Sequence, residues 1–199
     1  QRQMCIRDRV CPSCGAPVVH LEDEAALRCV NPECPAQALR NIIHFASRDA
    51  MDIDGLGPAV IQQLVDSGLV RTAADLYSLR PEQIAELDRM GQKSARNAVE
   101  AIARSREDDL WRLIFALGIR QVGEKAAKVL AARFGSMDAL STATEEELTA
   151  IDDVGPITAK YIRQWMDSPQ SQDLLARLKA AGLNMTCKEE MVDLSLIHI

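Results

Sequence analysis

Aromatic residues are scarce in this chain of 199 residues: they make up 4% of it, while alanine and leucine are abundant. Sheets favour aromatic and β-branched side chains, so this balance favours packed helices. A surplus of positive charge is also missing, because 23 basic and 29 acidic residues give a net charge of −6. Any binding to a polyanion must therefore depend on local clusters of cations.

Signals for catalysis and for export are missing as well. No serine or cysteine nucleophile stands at a recognisable spacing from a histidine, and no glycine-rich nucleotide loop follows a predicted strand. Asp52-Ile53-Asp54-Gly55 superficially resembles the nucleotidyl-acceptor motif Lys-x-Asp-Gly, but Met51 and Asp52 stand where its lysine is required. We therefore predict no catalytic residue in this chain.

No signal segment or membrane-spanning run precedes the first cysteines.

Cysteines are few, six in all, but four of them form two pairs. Cys11 and Cys14 are the first pair, and Cys29 and Cys34 the second, with fourteen residues between the pairs. This is the spacing of a closed, structural four-thiolate zinc site. Because the segment is short and poor in large apolar residues, metal binding would supply its folding energy. Two disulfides in a secreted module are the alternative, which the cysteine-poor remainder disfavours.

Beyond the cysteines, hydrophobic spacing predicts an all-helical region. Leu39, Ile42, Ile43 and Ala46 share one face of a helix over residues 36–47. A capping box, Thr144 with Glu147, predicts a connecting helix, and Ser168-Pro169 and Gly182 predict the start and end of the last one. The expected domains are a non-native or truncated end (1–10), a four-cysteine zinc finger (11–35), a helical binding domain (36–183) and a linker or truncated end (184–199).

A repeat runs through the helical region. Each copy has an apolar residue, two other residues, a second apolar residue and a glycine that precedes a predicted helix: Ile53–Gly57, Leu87–Gly91, Ile119–Gly123 and Ile151–Gly155. The closing glycines are 34, 32 and 32 residues apart. A glycine here is expected to adopt positive φ and to expose backbone amides, beside the positive end of the helix dipole. The repeat thus predicts anion sites for the phosphates of a nucleic-acid backbone, with simple helix-closing turns as the alternative.

Basic side chains concentrate at the second and third turns. Residues 89–133 carry ten basic and five acidic side chains, whereas 51–88 carry two and seven, and 134–183 carry four and eight. We expect these cations to contact phosphates together with the glycines of the turns, although a solvated helix face is the alternative. The candidate DNA-binding residues are Gly55, Gly57, Arg89, Gly91, Lys93, Arg96, Arg120, Gly123, Lys125, Lys128, Gly155 and Lys160.

The cysteine segment and the repeats together resemble one family. With its four-cysteine finger followed by HFASRDAMDIDGLG, ELDRMGQKSARN, FALGIRQVGEKAA and IDDVGPITAKYI, the chain is similar to the zinc-finger and helix-hairpin-helix region of bacterial NAD-dependent DNA ligases over residues 11–185. The resemblance implies zinc on Cys11, Cys14, Cys29 and Cys34, and nicked double-stranded DNA held through its backbone and minor groove. In that family a lysine is adenylylated from NAD, AMP moves to the 5′-phosphate, and the nick is sealed during replication and repair.

The family's adenylylation, oligonucleotide-binding and BRCT domains have no counterpart in this sequence. NAD and magnesium are therefore expected to act only in those domains, and this chain alone is expected to be an inactive, DNA-binding fragment. The resemblance further implies a monomer in the bacterial cytoplasm, associated with the nucleoid and not with a membrane. Two alternatives remain: a non-enzymatic module that binds DNA structures in a repair or recombination protein, and a zinc-stabilised helical scaffold for proteins.

Overall fold

The computed structural model describes residues 10–13, 15, 17–20, 27–29 and 34–188, without the side chains of 19, 20 and 27–29. Within these residues, strand β1 (Val18–His20) pairs antiparallel with β2 (Leu27–Cys29), with Val18 opposite Cys29. Helices then follow one another as far as Ala180, so the expected mainly α fold is confirmed. They are α1 Pro35–Ala46, α2 Pro58–Asp66, a 3₁₀ helix Ala73–Ser78, α3 Pro81–Ala85, α4 Gln92–Ser105, α5 Leu110–Ala116, α6 Glu124–Phe134, α7 Met137–Thr142, α8 Glu145–Thr149, α9 Pro156–Asp167 and α10 Pro169–Ala180.

Eight of these helices pack as four hairpins, each with one of the glycine turns between its two helices. Hairpin 1 consists of α1 and α2, hairpin 2 of α3 and α4, hairpin 3 of α5 and α6, and hairpin 4 of α8 and α9. Of the other helices, α7 packs on α6, and α10 packs on α9 and on the 3₁₀ helix. The turns are thus carried by a scaffold of packed helices.

Small residues let the hairpins approach one another closely. Helix α4 buries Ala95, Ala98 and Ala101 along one face, at helical spacing. The turn of hairpin 1 lies against this face, since a Cβ added to Gly55 would be 3.2 Å from the Cβ of Ala98. Larger side chains at these alanines would therefore push hairpins 1 and 2 apart.

Helix α1 is anchored on hairpin 3 by polar contacts. Nε2 of His44 donates to the Phe115 carbonyl at 2.8 Å, and the two rings meet edge to face with centroids 4.9 Å apart. Arg112 of α5 donates to the carbonyl of Ala50, just beyond α1, at 2.7 Å. These contacts fix the helix that follows the cysteines against the second half of the repeats, and they give His44 a structural role.

Helix α10 closes the arrangement by returning to the 3₁₀ helix, which lies between hairpins 1 and 2 in the chain. Arg177 forms an ion pair with Asp75 and donates to Thr72 Oγ1 at 3.2 Å. Burial acts to raise the pKa of Asp75, but the amides of Arg71 and Thr72 and the Arg177 guanidinium outweigh it, so this pKa lies below its usual value. The carboxylate is therefore favoured where α10 meets the 3₁₀ helix.

Residues 183–188, here called the C-terminal strap, continue the packing beyond α10. The Asn184 amide donates to the Arg106 carbonyl at 2.8 Å, and its side chain donates to the Asp108 carbonyl at 3.1 Å. The Cys187 amide donates to the Gly135 carbonyl at 2.8 Å. The strap thus joins the segment between hairpins 2 and 3 to the segment that follows α6.

The predicted helix boundaries agree with the structure. The capping box forms at α8, where Glu147 N donates to Thr144 Oγ1 at 3.2 Å and Thr144 N to Glu147 Oε2 at 2.8 Å. Helix α10 has Ser168 as its N-cap, and Gly182 follows it with φ 87°. None of the helices in the described ranges is long and apolar enough to cross a membrane.

Candidate nucleic-acid interface

The four hairpin turns share one hydrogen-bonding pattern. In each, the amide of the second apolar residue donates to the carbonyl of the first, as in a β-turn. The two apolar residues are buried in hairpins 1, 3 and 4 and partly buried in hairpin 2, so the core holds both ends of each turn. The N–O distances are 3.4 Å for Leu56–Ile53, 3.1 Å for Met90–Leu87, 3.1 Å for Val122–Ile119 and 3.1 Å for Val154–Ile151.

The left-handed residue of each turn is not the closing glycine. The closing glycines have extended backbones, with φ between −96° and −70°. The prediction that they supply positive φ is therefore wrong. The turn places the left-handed conformation at its third residue, as a type II turn does. These third residues, two positions before each closing glycine, are Gly55 (φ 87°), Arg89 (64°), Gln121 (63°) and Asp153 (70°).

The closing glycines provide access to the helix ends. Each is the N-cap of the next helix, and none of these four helices has a side-chain cap. A Cβ added to Gly57, Gly91, Gly123 or Gly155 would meet nothing within 4 Å, so the fold itself does not require glycine there. The first amides of a helix lack intrahelical acceptors, and the dipole adds positive partial charge. Each turn therefore leaves an open site where an anion can accept backbone N–H groups.

The cations of hairpin 2 face solvent around its turn. Arg89 is the left-handed residue, and Lys93 and Arg96 lie one turn apart on α4, with all three side chains exposed. None of the three forms an ion pair or hydrogen bond with any residue that the structure describes. Gln63 of hairpin 1 supports this turn, because its Oε1 accepts the Asp88 amide at 2.8 Å. Hairpin 2 therefore presents three cations beside one open helix end.

The cations of hairpin 3 have partners within the protein. Lys125 pairs with Asp153 of hairpin 4 at 2.9 Å. Lys128 pairs with Glu124 at 2.6 Å and lies over the Trp111 ring at 4.4 Å, and it holds the pKa of Glu124 below its usual value. The half-buried Arg120 stacks on the ring of Tyr161, 4.7 Å from its centroid, in α9.

Hairpins 1 and 4 carry fewer cations at their turns. In hairpin 1, Ala59 and Gln62 occupy the positions that Lys93 and Arg96 hold in hairpin 2. In hairpin 4 these positions hold Ile157, which is 58% exposed, and Lys160, which is exposed and has no ion-pair partner in the described part of the chain. Any anion at these two turns would therefore depend mainly on backbone amides.

Two of the predicted zinc ligands meet in the structure. Cys11 and Cys34 are buried, and their sulfurs are 3.7 Å apart. A disulfide would need about 2.05 Å. Zinc–sulfur bonds of about 2.3 Å in a tetrahedron place neighbouring sulfurs about 3.8 Å apart, so this pair fits two corners of a tetrahedral zinc site. Cys14 and the side chain of Cys29 lie outside the described residues.

The backbone around these two cysteines also suits thiolate ligands. The Gly15 amide donates to the Cys11 carbonyl at 2.8 Å, closing the tight turn that the first pair requires. Cys34 is the N-cap of α1, and its carbonyl accepts the Ala38 amide at 2.9 Å. A helix N-terminus carries positive partial charge, which suits an anionic thiolate ligand placed there.

Two residues of this interface lie outside the predicted set. Asp153 holds Lys125, and Tyr161 carries Arg120, so both determine how hairpin 3 presents its charge. Alignment of the four turns on their closing glycines shows from sequence that only hairpin 4 has an acidic residue two positions before the glycine. Tyr161 has no such signal, because its contact depends on how α9 packs.

The geometry defines a protein with tandem helix-hairpin-helix motifs that follow a pair of buried cysteines, and comparisons with known families agree. Residues 10–36 match the NAD-dependent DNA ligase C4 zinc finger domain. Residues 47–104 match the SAM-like helix-hairpin-helix tandem, and residues 112–175 match the helix-hairpin-helix motif. The chain therefore carries the zinc-finger and helix-hairpin-helix region of the NAD-dependent DNA ligase family.

The individual relatives that match this chain are named DNA ligases. A DNA ligase of Symbiobacterium thermophilum is 54% identical over 179 residues, which is 89% of this chain and 27% of the relative. A DNA ligase of Marinobacter nauticus is 55% identical over 92% of the chain and 27% of its own length. For a DNA ligase of Levilactobacillus brevis, the identity is 53% over 88% of the chain and 26% of the relative. The chain thus spans about a quarter of the length of these curated relatives.

Proposed function

We propose that this chain is the DNA-binding part of an NAD-dependent DNA ligase that seals nicks in duplex DNA during replication and repair. It binds the sugar-phosphate backbone of double-stranded DNA through the hairpin turns, across a minor groove, and acts as a monomer on the bacterial chromosome. We propose no recognition of the DNA base sequence, because the turns offer backbone amides and cations that suit phosphates.

The open helix ends at the closing glycines are the observation that carries this proposal. Ser, Thr, Asp and Asn are the usual N-caps, and each would cover the amides that it satisfies. The four turns use glycine instead, although a Cβ would have room. Such a choice is explained by a ligand that approaches the backbone closely, and phosphate is the anion that a helix N-terminus suits. The exposed cations around Gly91 support the same reading.

A salt titration of DNA binding tests the proposal. The wild-type chain should bind labelled nicked and intact duplexes of unrelated sequence with similar affinity, and log affinity should fall linearly with log salt. Lys93→Ala should reduce that slope by about one, since one phosphate contact is lost. Arg133→Ala is the matched control, because this exposed cation lies at the other end of α6 from its turn. Affinity that does not depend on salt, or equal effects of the two variants, would contradict the proposal.

We further propose that Cys11, Cys14, Cys29 and Cys34 hold one structural zinc ion. Elemental analysis of protein purified under reducing conditions should give about one zinc per chain. Cys29→Ser should lose the metal and unfold the N-terminal module while far-UV circular dichroism keeps most of its helical signal. Cys187→Ser, outside the predicted ligand set, is the control and should retain zinc. A zinc content near zero or a visible iron chromophore would refute the assignment.

We propose that the reaction with NAD belongs to other parts of the parent ligase. Incubation of this chain with NAD labelled in its adenylate should leave no label on the protein. A full-length NAD-dependent ligase under the same conditions is the positive control. Covalent label on this chain would show a nucleotidyl-transfer site within it and would contradict this part of the proposal.

A further inference from the structure

One ion pair joins two of the hairpin turns within the described residues. Lys125, the second residue of α6, lies 2.9 Å from both carboxylate oxygens of Asp153, the left-handed residue of the hairpin 4 turn. Lys125 is 79% exposed and Asp153 39%. Because both groups are accessible to solvent, the pair is weak, and another anion can compete for the lysine.

The fold does not need a carboxylate at position 153. The equivalent residues in the other turns are Gly55, Arg89 and Gln121, and all adopt positive φ in the same kind of turn. The neighbouring Asp152 is also exposed, but it forms no ion pair with residues of the described ranges. The specific effect of Asp153 is therefore on Lys125, which belongs to one of the two hairpins that carry three turn cations.

We propose that Asp153 is a negative determinant of DNA affinity that acts by occupying Lys125. This inference depends on the proposed DNA binding by the turns. A backbone phosphate must displace the carboxylate before Lys125 can contact it, and the displaced carboxylate then lies close to the polyanion. Hairpin 4 thereby sets the affinity of hairpin 3, and only a phosphate already held at the α6 amides competes well for the lysine.

A comparison of two neighbouring aspartates tests the proposal. Asp153→Asn and Asp152→Asn remove the same charge at adjacent positions, but only the first releases Lys125. Asparagine tolerates the left-handed conformation, so the turn should persist. Binding to a labelled nicked duplex at about 0.1 M salt should tighten about two- to fivefold more in Asp153→Asn than in Asp152→Asn, the range expected for release of an exposed ion pair. Asp153→Gly, which copies hairpin 1, should behave like Asp153→Asn.

The same pair of substitutions in a Lys125→Ala background isolates the mechanism. With the lysine removed, the two aspartate variants should have equal effects on affinity. If Asp153→Asn and Asp152→Asn also change affinity equally in the wild-type background, while binding still depends on salt, the proposal is overturned. Asp153 would then act only through its contribution to the overall negative charge. Absence of salt-dependent binding by the wild-type chain would instead overturn the proposed function, and this inference with it. Thermal melting of each variant shows that the fold is retained.

Discussion

Hairpins 2 and 3 follow the same sequence pattern and carry three turn cations each, but they present their charge differently. Arg89, Lys93 and Arg96 of hairpin 2 extend into solvent without partners among the described residues. In hairpin 3, carboxylates and aromatic rings engage the cations Arg120, Lys125 and Lys128. A basic segment in a sequence therefore does not measure the positive charge available to a polyanion, because intramolecular partners neutralise part of it.

The sharpest test removes two cations from each hairpin. Lys93→Ala with Arg96→Ala should weaken duplex binding by about a hundredfold at low salt and reduce the salt slope by about two, since two charge-assisted phosphate contacts are lost. Lys125→Ala with Lys128→Ala should reduce the slope by about one or less, because these lysines are already paired. Fluorescence anisotropy over a salt series measures both. Equal losses would show that the pairs in hairpin 3 open without cost.

The next test concerns access to the helix ends. Gly91→Val should weaken binding by about tenfold, because its side chain would cover amides that donate to a charged acceptor. Stability should fall by about 1 kcal/mol at most, since valine is a poorer N-cap than glycine but accepts the extended backbone of Gly91 (φ −96°), and the space around it is open. Gly123→Val should weaken DNA binding by the same factor if backbone amides, rather than side-chain cations, hold the phosphate in hairpin 3. A large fall in melting temperature for either variant would contradict this account.

Glycine substitutions at the left-handed positions distinguish the effect of backbone strain on stability from the effect of charge on DNA binding. Arg89→Gly and Gln121→Gly should each stabilise the fold by about 0.5–1 kcal/mol, since relief of the left-handed strain exceeds the added entropy of the unfolded chain. Only Arg89→Gly should also reduce the salt slope, by about one. Thermal denaturation and the salt series together distinguish the two effects. A loss of slope in Gln121→Gly would mean that the turn itself had moved.

The smallest effect is expected at hairpin 4. Lys160→Ala should reduce the salt slope by less than one, because Asp152 and Asp153 lie at the same turn and lower the local positive potential. The measurement is the same titration, with Arg133→Ala as its control. A slope change as large as that of Lys93→Ala would show that Lys160 of hairpin 4 contacts phosphate as fully as Lys93 of hairpin 2 does.

The sequence correctly predicted the features that depend on the spacing of residues close together in the chain. The apolar pairs and closing glycines mark each turn, and Thr144 with Glu147 marks the start of α8, because these features involve residues three or four positions apart. The conformation of the turns was predicted less well. Glycine is the usual left-handed residue, yet Arg89 and Gln121 adopt that conformation because the apolar residues on either side, partly buried around Arg89 and buried around Gln121, hold the turn.

The pairing of the cations could not be predicted from sequence. Lys125 meets an aspartate 28 positions away, and Arg120 meets a tyrosine on another hairpin. Such contacts depend on the angle between packed helices, for which a single sequence holds no local signal. Most of the fold was therefore accessible from the sequence, whereas the distribution of available charge over the candidate site was not.

The C-terminal strap and helix α10 have a consequence for how this repeat-built region unfolds. In open arrays, each repeat contacts only its neighbours, so the ends can fray independently. Here Arg177 reaches back to Asp75, and Asn184 reaches Arg106, so the last elements of the region stabilise the first ones. Loss of α10 therefore loosens hairpins 1 and 2 as well. The helical region should melt in one cooperative transition, with similar hydrogen-exchange protection in α4 and α9.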